Sequence, residues 1–345
     1  MVAYNIPLYA EDESSTQEYL LQAVMACYSN EVVQSNECIR DVIFYVSNRA
    51  GVRETLMAVG ELAANDTIFS SCHEFTHYVG QAAYAKYGSY SEAFQDGVHV
   101  CYGGFYHGVM EGFFMDESSD LMPFSLEKVA KVVPNLCGEI KDHPNQMLFS
   151  ECLHGLGHGL MFLTDMDLPA ALDLCDELSG DNKQIGCYQG VFMENATSTT
   201  NPDHTSEWVS ADDPMYPCSL FEGLRADVCY QYQSTYFLRF VSTPPNNNWV
   251  GAGKLCMQVP EKHIPGCFTV LATGIPSTTN DFEKMHDTCL LFPEKYYGEC
   301  VSGTVTALGG WYSNETQPME QFCKHVQTQY QEVCADSVKA VLNTR

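Results

Sequence analysis

Apolar residues recur at intervals of three and four positions through most of this chain, and this spacing predicts helices. The segment from Ser15 to Cys27 shows it with Leu20, Leu21, Val24 and Met25. Alternation of apolar and polar residues with a period of two, which would predict strands, is scarce. The hydrophobic pattern therefore predicts an all-α protein.

Sixteen cysteines follow the helical pattern with a recurring spacing. Five pairs stand eleven residues apart: Cys27/Cys38, Cys218/Cys229, Cys256/Cys267, Cys289/Cys300 and Cys323/Cys334. Two further pairs have similar separations: Cys175/Cys187 and Cys137/Cys152. Such spacing suits a disulfide between the end of one helix and the start of the next. The pattern thus predicts helical hairpins that are each held by one disulfide.

Cys72 and Cys101 lack a partner at this spacing and are therefore left for each other. A bond between them would join neighbouring repeats instead of the two helices of one hairpin. Spacing alone leaves this connectivity open.

The hairpins recur at intervals of roughly 30 to 43 residues, which is the range of helical solenoids. We expect a disulfide-stapled α-solenoid of about nine helix-turn-helix repeats, coiled as a right-handed superhelix. The expected organisation is an N-terminal extension at 1–15, N-terminal repeats at 16–196 and C-terminal repeats at 215–345. The polar stretch 197–214 would be a linker or a lid between the two sets of repeats.

The charge balance restricts the partners of the protein. Asp and Glu number 44 against 17 Lys and Arg, and the formal net charge is -27. Such a chain is a poor partner for nucleic acid and for anionic membranes, but it suits metal ions or a cationic protein. No apolar run approaches the roughly 18 residues of a membrane span.

The cysteine pattern also indicates a compartment, because disulfides persist where the environment is oxidising. We therefore expect a secreted or cell-surface protein. Three Asn-x-Thr sequences, at Asn65, Asn195 and Asn314, further predict a glycoprotein.

Candidate chemistry clusters in three glycine-rich segments, each of which begins with a cysteine. The third residue after Cys101, Cys152 and Cys187 is Gly104, Gly155 and Gly190, respectively. Small residues at these places would let stacked helices approach closely. The same segments carry His107 and Glu111, His154 and His158, and Glu194, respectively.

A further histidine pair precedes these segments, in Cys72-His73-Glu74-Phe75-Thr76-His77. His73-Glu74-x-x-His77 resembles the His-Glu-x-x-His signature of zinc metallopeptidases. The resemblance covers five residues and implies that His73 and His77 are zinc ligands and that Glu74 is the general base.

A second hypothesis uses all of these residues together as a ladder of metal ligands. His73/His77, His107/Glu111 and His154/His158 are each four residues apart, which places both members on one helix face. If consecutive repeats stack side by side, ligands from neighbouring helices can meet at one ion. One difference in register stands against a single ladder. His73 and His77 are the first and fifth residues after Cys72, whereas His154 and His158 are the second and sixth after Cys152.

The sequence thus predicts a secreted repeat protein with a His/Glu transition-metal centre that performs metal-dependent hydrolysis or oxidation. The metal would be zinc, copper, iron or manganese, and Glu74, Glu111 or Glu194 would serve as the base. The alternative is a non-catalytic scaffold that binds a protein partner or assembles with itself, with a structural metal or none. An open coordination position would favour the enzyme, and a closed set of four ligands would favour the scaffold.

Overall fold

The computed structural model describes residues 16–28, 35–62, 71–116, 125–143, 145–198, 205–243, 246–312 and 315–343. Within these ranges the regular structure is helical, apart from one isolated bridge between Thr243 and Asn246. The prediction of an all-α protein is confirmed. None of the helices in these ranges has both the length and the apolar character that crossing a lipid bilayer requires.

Seventeen α-helices lie in the described part of the chain. Their bounds are α1 Thr16–Tyr28, α2 Ser35–Ala50, α3 Val52–Leu62, α4 Cys72–Tyr87, α5 Tyr90–Gln95, α6 Gly104–Met115, α7 Leu126–Val132, α8 Gln146–Leu163, α9 Leu168–Asp176, α10 Asp181–Thr197, α11 Gly223–Val241, α12 Trp249–Cys256, α13 Ile264–Thr273, α14 Phe282–Cys289, α15 Tyr297–Trp311, α16 Gln317–His325 and α17 Gln331–Asn343.

The chain divides into two compact units, Met1–Phe113 and Phe114–Arg345. In the first unit α1 packs against α2 and α3, and both of these pack against α4. Leu20, Ile43 and Phe75 from three of these helices are fully or almost fully buried in its core. Burial of such side chains contributes about 1.5–3 kcal/mol each, which is what orders this unit.

The second unit repeats one packing step several times. Helices α8, α10, α11, α13, α15 and α17 each contact the next one in this series. The shorter helices α9, α12, α14 and α16 pack beside them, each against the helix that follows it in the chain. This succession is what stacked helical hairpins require. The superhelix and the number of repeats stay predictions, and so do the expected divisions of the chain at 1–15, 16–196, 197–214 and 215–345.

Eight disulfides confirm every predicted cysteine pair, including Cys72–Cys101. Their Cα–Cα distances lie between 5.4 and 5.9 Å. In the second unit four bonds join two consecutive α-helices, whereas Cys137 and Cys218 lie in turns that precede α8 and α11. Cys72 begins α4 and Cys101 precedes α6, so this bond fixes the starts of two different hairpins to each other.

Non-reducing peptide mapping should recover Cys218–Cys229, Cys256–Cys267, Cys289–Cys300 and Cys323–Cys334 as linked peptides. Each closed loop of this size stabilises the fold by about 2–3 kcal/mol, so full reduction should unfold the second unit. Circular dichroism with and without reductant measures this loss. Recovery of free thiols from the native protein would contradict the disulfide framework.

Glycines set how closely the stacked helices approach each other. A Cβ on Gly190 of α10 would lie 1.9 Å from the carbonyl oxygen of His154 on α8. A Cβ on Gly303 of α15 would lie 2.1 Å from the Thr269 oxygen of α13. Both distances are far below contact, so these crossings admit only glycine.

Helix α17 carries charged residues where α13 carries small ones. Asp336 and Lys339 of α17 occupy the places that Thr269 and Ala272 have in α13, counted from the cysteine of each helix. On α13 these two residues face Gly303 of the next helix, whereas on α17 they form an ion pair at 2.9 Å. Packing another helix on this face would have to desolvate both charges.

Part of the predicted linker or lid packs on the second unit. The Asn195 amide donates to the Trp208 carbonyl oxygen at 3.0 Å, and its oxygen accepts from the Ser206 hydroxyl at 2.6 Å. The Tyr236 hydroxyl donates to the Ser210 carbonyl oxygen at 2.7 Å. Residues 199–204 lie outside the described ranges.

Of the three glycosylation sequences, only the one at Asn195 lies among the described residues. Its side chain is 1% exposed and holds the hydrogen bonds just given. A glycan at this position would break them, so the folded chain has no room for one here. Asn65 and Asn314 lie outside the described ranges.

Candidate metal centre

Three histidines of the first unit converge on one point. His73 and His77 lie one turn apart on α4, and His107 lies on α6. Their ring centroids are 4.8 Å apart for His73–His77, 5.4 Å for His73–His107 and 5.3 Å for His77–His107. One ring nitrogen of each lies within 4.8 Å of the other two, so the cluster could hold a metal ion.

Hydrogen bonds on the far side of two rings fix their orientation. The Nδ1 atom of His73 lies 2.9 Å from the Cys101 carbonyl oxygen. The Nδ1 atom of His77 lies 2.7 Å from Glu111 Oε1. A carbonyl and a carboxylate oxygen can only accept, so both Nδ1 atoms carry the proton. Both Nε2 atoms are therefore left as acceptors in the neutral rings.

These two Nε2 atoms face each other at 3.1 Å. Two lone pairs at this distance repel unless a cation or an additional proton lies between or beside them. Two imidazole nitrogens bound to one tetrahedral zinc ion at about 2.0–2.1 Å would be about 3.3 Å apart, close to the observed distance. Ligand histidines in metal sites also donate their other nitrogen to a carbonyl or a carboxylate, as both rings do here.

The turn before α6 presents the Cys101 carbonyl to His73. Cys101, Tyr102 and Gly103 have φ of 50°, 62° and 75°. Two consecutive non-glycine residues with positive φ raise the conformational energy of the backbone. Such conformations persist only where the surrounding structure enforces them. Here the disulfide to Cys72 fixes the turn beside His73.

Close helix packing brings α6 to the two histidines of α4. A Cβ on Gly104 would lie 2.5 Å from the His73 carbonyl oxygen, and a Cβ on Gly108 would lie 2.0 Å from that of His77. With glycine at both places, His107 and Glu111 come within reach of α4. The close approach of the two backbones thus assembles the cluster.

The two sides of the centre differ in exposure. His107 and Glu111 are 2% and 3% exposed, whereas His73 and His77 are only half-buried. Glu111 Oε2 accepts a second hydrogen bond, at 2.9 Å, from the Gln81 amide. The carboxylate is thus held on both oxygens, and the accessible side of the cluster is formed by the α4 histidines.

The second unit contains a related arrangement. The Nδ1 atom of the buried His158 on α8 lies 2.7 Å from Glu194 Oε2 on α10. The His154 ring centroid lies 5.0 Å from that of His158. Burial lowers the pKa of Arg239, and the negative charge of Glu194 opposes that effect. Glu194 thus acts on a cation as well as on its histidine.

In each unit, a glycine of one helix lies against a backbone carbonyl of the neighbouring helix. These contacts show which residues occupy equivalent positions in the two units. The His77 carbonyl faces Gly108 as the His154 carbonyl faces Gly190. His77 is the fifth residue after Cys72, whereas His154 is the second after Cys152. The crossing in the first unit is therefore about one helical turn further from its cysteine. Matched by these crossings, His154 corresponds to His77, and His158 corresponds to Gln81.

The three predicted bases have different surroundings. Glu74 is exposed and accepts a hydrogen bond from the Tyr78 hydroxyl at 2.7 Å. Glu111 and Glu194 each hold the Nδ1 atom of a histidine. Gln81 bonds to Glu111 but was not among the predicted site residues, although its place one turn after His77 could have indicated it.

No protein-family model, curated protein or solved structure is significantly similar to this chain. Any assignment of function therefore depends on the site itself. What the structure provides is a histidine cluster that could bind a metal, within a disulfide-rich helical fold.

Proposed function

We propose that this chain is an extracellular metal-dependent hydrolase with His73, His77 and His107 as metal ligands. The observation that carries the proposal is the pair of Nε2 atoms at 3.1 Å, with both Nδ1 atoms bonded to acceptors. A structural histidine pair would place a donor against an acceptor. Here two acceptors face each other, as ligands of one ion do.

The ligand set favours some metals over others. Imidazole suits zinc, copper and iron, whereas manganese prefers oxygen ligands. Zinc has no redox chemistry and is bound at catalytic sites by three protein residues with one position open. Three histidines with a solvent-accessible side match that arrangement, so we propose zinc and hydrolysis over oxidation.

Each side chain has a distinct role in this proposal. When bound, the metal would polarise a substrate carbonyl and activate water. His73, His77 and His107 hold it, and Glu111 orients His77 through Nδ1 rather than acting as a ligand or base. Glu74 serves as base only in the metallopeptidase alternative.

His154, His158 and Glu194 form a second His/Glu arrangement that we propose as a further metal-binding position in the second unit. The support is the same Nδ1–carboxylate pairing that His77 and Glu111 show. The ladder hypothesis, which places the pairs of both units in one row, stays a prediction.

Eight disulfides support an oxidising, extracellular location, since such bonds persist there. The scaffold alternative with end-to-end assembly is less well supported. Asp336 and Lys339 form an ion pair on the last helix, at places where α13 carries small residues that contact its neighbour. Desolvating this pair in a stacked interface would cost free energy.

Substitutions of Glu111 and Glu74 together separate the proposal from the metallopeptidase alternative. Glu111→Gln should lower zinc affinity about 10- to 100-fold, because an outer carboxylate on a ligand histidine contributes that much. Glu74→Gln should leave both zinc affinity and hydrolysis unchanged, since Glu74 is exposed and bonded to Tyr78. Competition with a zinc chelator gives the affinity, and cleavage of p-nitrophenyl acetate and of casein gives the activity.

The opposite pattern would contradict the proposal. If Glu74→Gln abolished casein cleavage while zinc stayed bound, the metallopeptidase alternative would be correct. If the wild type stayed metal-free after incubation with zinc, copper and iron, both would be wrong.

A further inference from the structure

Helices α2 and α4 of the first unit line a cavity of about 520 Å³. The described lining residues are Arg40, Asp41 and Phe44 of α2 and Gln81 of α4. Arg40 and Phe44 are four residues apart and so lie on one helix face. The volume is within the range of small-molecule sites, and the walls offer a cation, a carboxylate, an aromatic ring and an amide.

Arg40 is an available cation in a very acidic protein. Its side chain is exposed, and no ion pair within the described ranges includes it. This holds although the chain contains 44 acidic residues and only 17 basic ones. A guanidinium group matches a carboxylate with two parallel hydrogen bonds. Arg40 therefore supplies a position for the carboxylate of a ligand.

Arg40 lies close to the α4 wall of the cavity. It lines the same cavity as Gln81, although the two residues belong to different helices.

Asp41 restricts what can bind beside Arg40. Its carboxylate would repel a dianion and would attract an ammonium group. Phe44, one turn from Arg40, offers an apolar surface. We propose that this cavity binds a free apolar α-amino acid, with its carboxylate on Arg40, its ammonium on Asp41 and its side chain on Phe44.

The cavity is also connected to the metal centre. The Gln81 amide donates to Glu111 Oε2 at 2.9 Å, and Glu111 Oε1 lies 2.7 Å from His77 Nδ1. A ligand that moves Gln81 would change the hydrogen bonding of Glu111 and hence the orientation of His77. Coupling between amino acid and metal rests on the proposed function, whereas amino-acid binding itself does not.

Calorimetric titration of L-leucine into the metal-free protein tests the site. Leucine should bind, and N-acetyl-leucine, leucinamide and inorganic phosphate should each bind at least tenfold more weakly. Arg40→Gln should weaken leucine binding at least tenfold. Arg49→Gln is the matched control on α2, because Arg49 lies over the Tyr45 ring at 5.8 Å and does not line the cavity. Circular dichroism confirms that both variants fold.

Three results would overturn the site: no leucine binding by the wild type, equal binding by Arg40→Gln, or phosphate binding as tight as leucine binding. His73→Ala should bind leucine like the wild type, so a failure of the metal centre is distinguishable from a failure of this site. Leucine should change zinc affinity at least threefold in the wild type and not in Gln81→Leu. Equal zinc affinity with and without leucine would overturn the coupling.

Discussion

His73→Ala and His77→Ala should each abolish stoichiometric zinc binding by the first unit while leaving the helix content nearly unchanged. The reason is that each removes one of three nitrogens that converge on one point. Loss of one metal–nitrogen bond from a three-ligand site leaves only two, which do not retain zinc against a chelator. Elemental analysis of protein purified without a histidine tag measures this directly.

The matched control is His325→Ala, because His325 is exposed at the end of α16 in the other unit. It should retain the metal content of the wild type. The double variant His154→Ala/His158→Ala should lose only the metal that the second unit binds. Full metal content in His73→Ala would show that these histidines are not ligands.

Gly190→Ala should destabilise the second unit by about 3 kcal/mol, at the upper end of overpacking effects. The added Cβ would lie 1.9 Å from the His154 carbonyl oxygen, so α8 and α10 must separate. This corresponds to a fall in Tm of about 6–12 °C for a unit of this size. Differential scanning calorimetry gives the value.

Gly298→Ala provides the comparison within the same unit. The nearest atom to a Cβ at Gly298 is Tyr330 Cδ1 at 3.8 Å, which is an ordinary contact. Stability should change by no more than about 1 kcal/mol, since the substitution only alters helix propensity. Similar losses in both variants would show that the crossing at Gly190 is not especially close.

Helix positions and disulfides could be predicted from the sequence because both depend on local spacing. The segment from Ser15 to Cys27, where the apolar spacing predicts a helix, is the helix Thr16–Tyr28 in the structure. Elimination left Cys72 and Cys101 for each other, and the structure confirms this bond, which the spacing alone had left open. Helical periodicity and short loops require no knowledge of distant contacts.

The residues of the candidate site were also visible in the sequence, but their arrangement was not. The spacing identified four of these residues, namely His73, His77, His107 and Glu111. It did not determine whether Glu111 is a metal ligand or a base. The structure places its carboxylate on His77 Nδ1. This contact depends on the packing of α6 on α4, which the spacing of the residues along the chain does not reveal.

By itself, the sequence determined an all-helical chain with eight disulfides and a set of histidines and carboxylates in its N-terminal half. The tertiary structure decided which of them meet. Counting from the cysteines put His77 and His154 out of register, whereas the crossings at Gly108 and Gly190 align them. The physical reason is that the backbone approach at these glycines sets the rotation of each helix against its neighbour. A cysteine at the helix start fixes only where the helix begins.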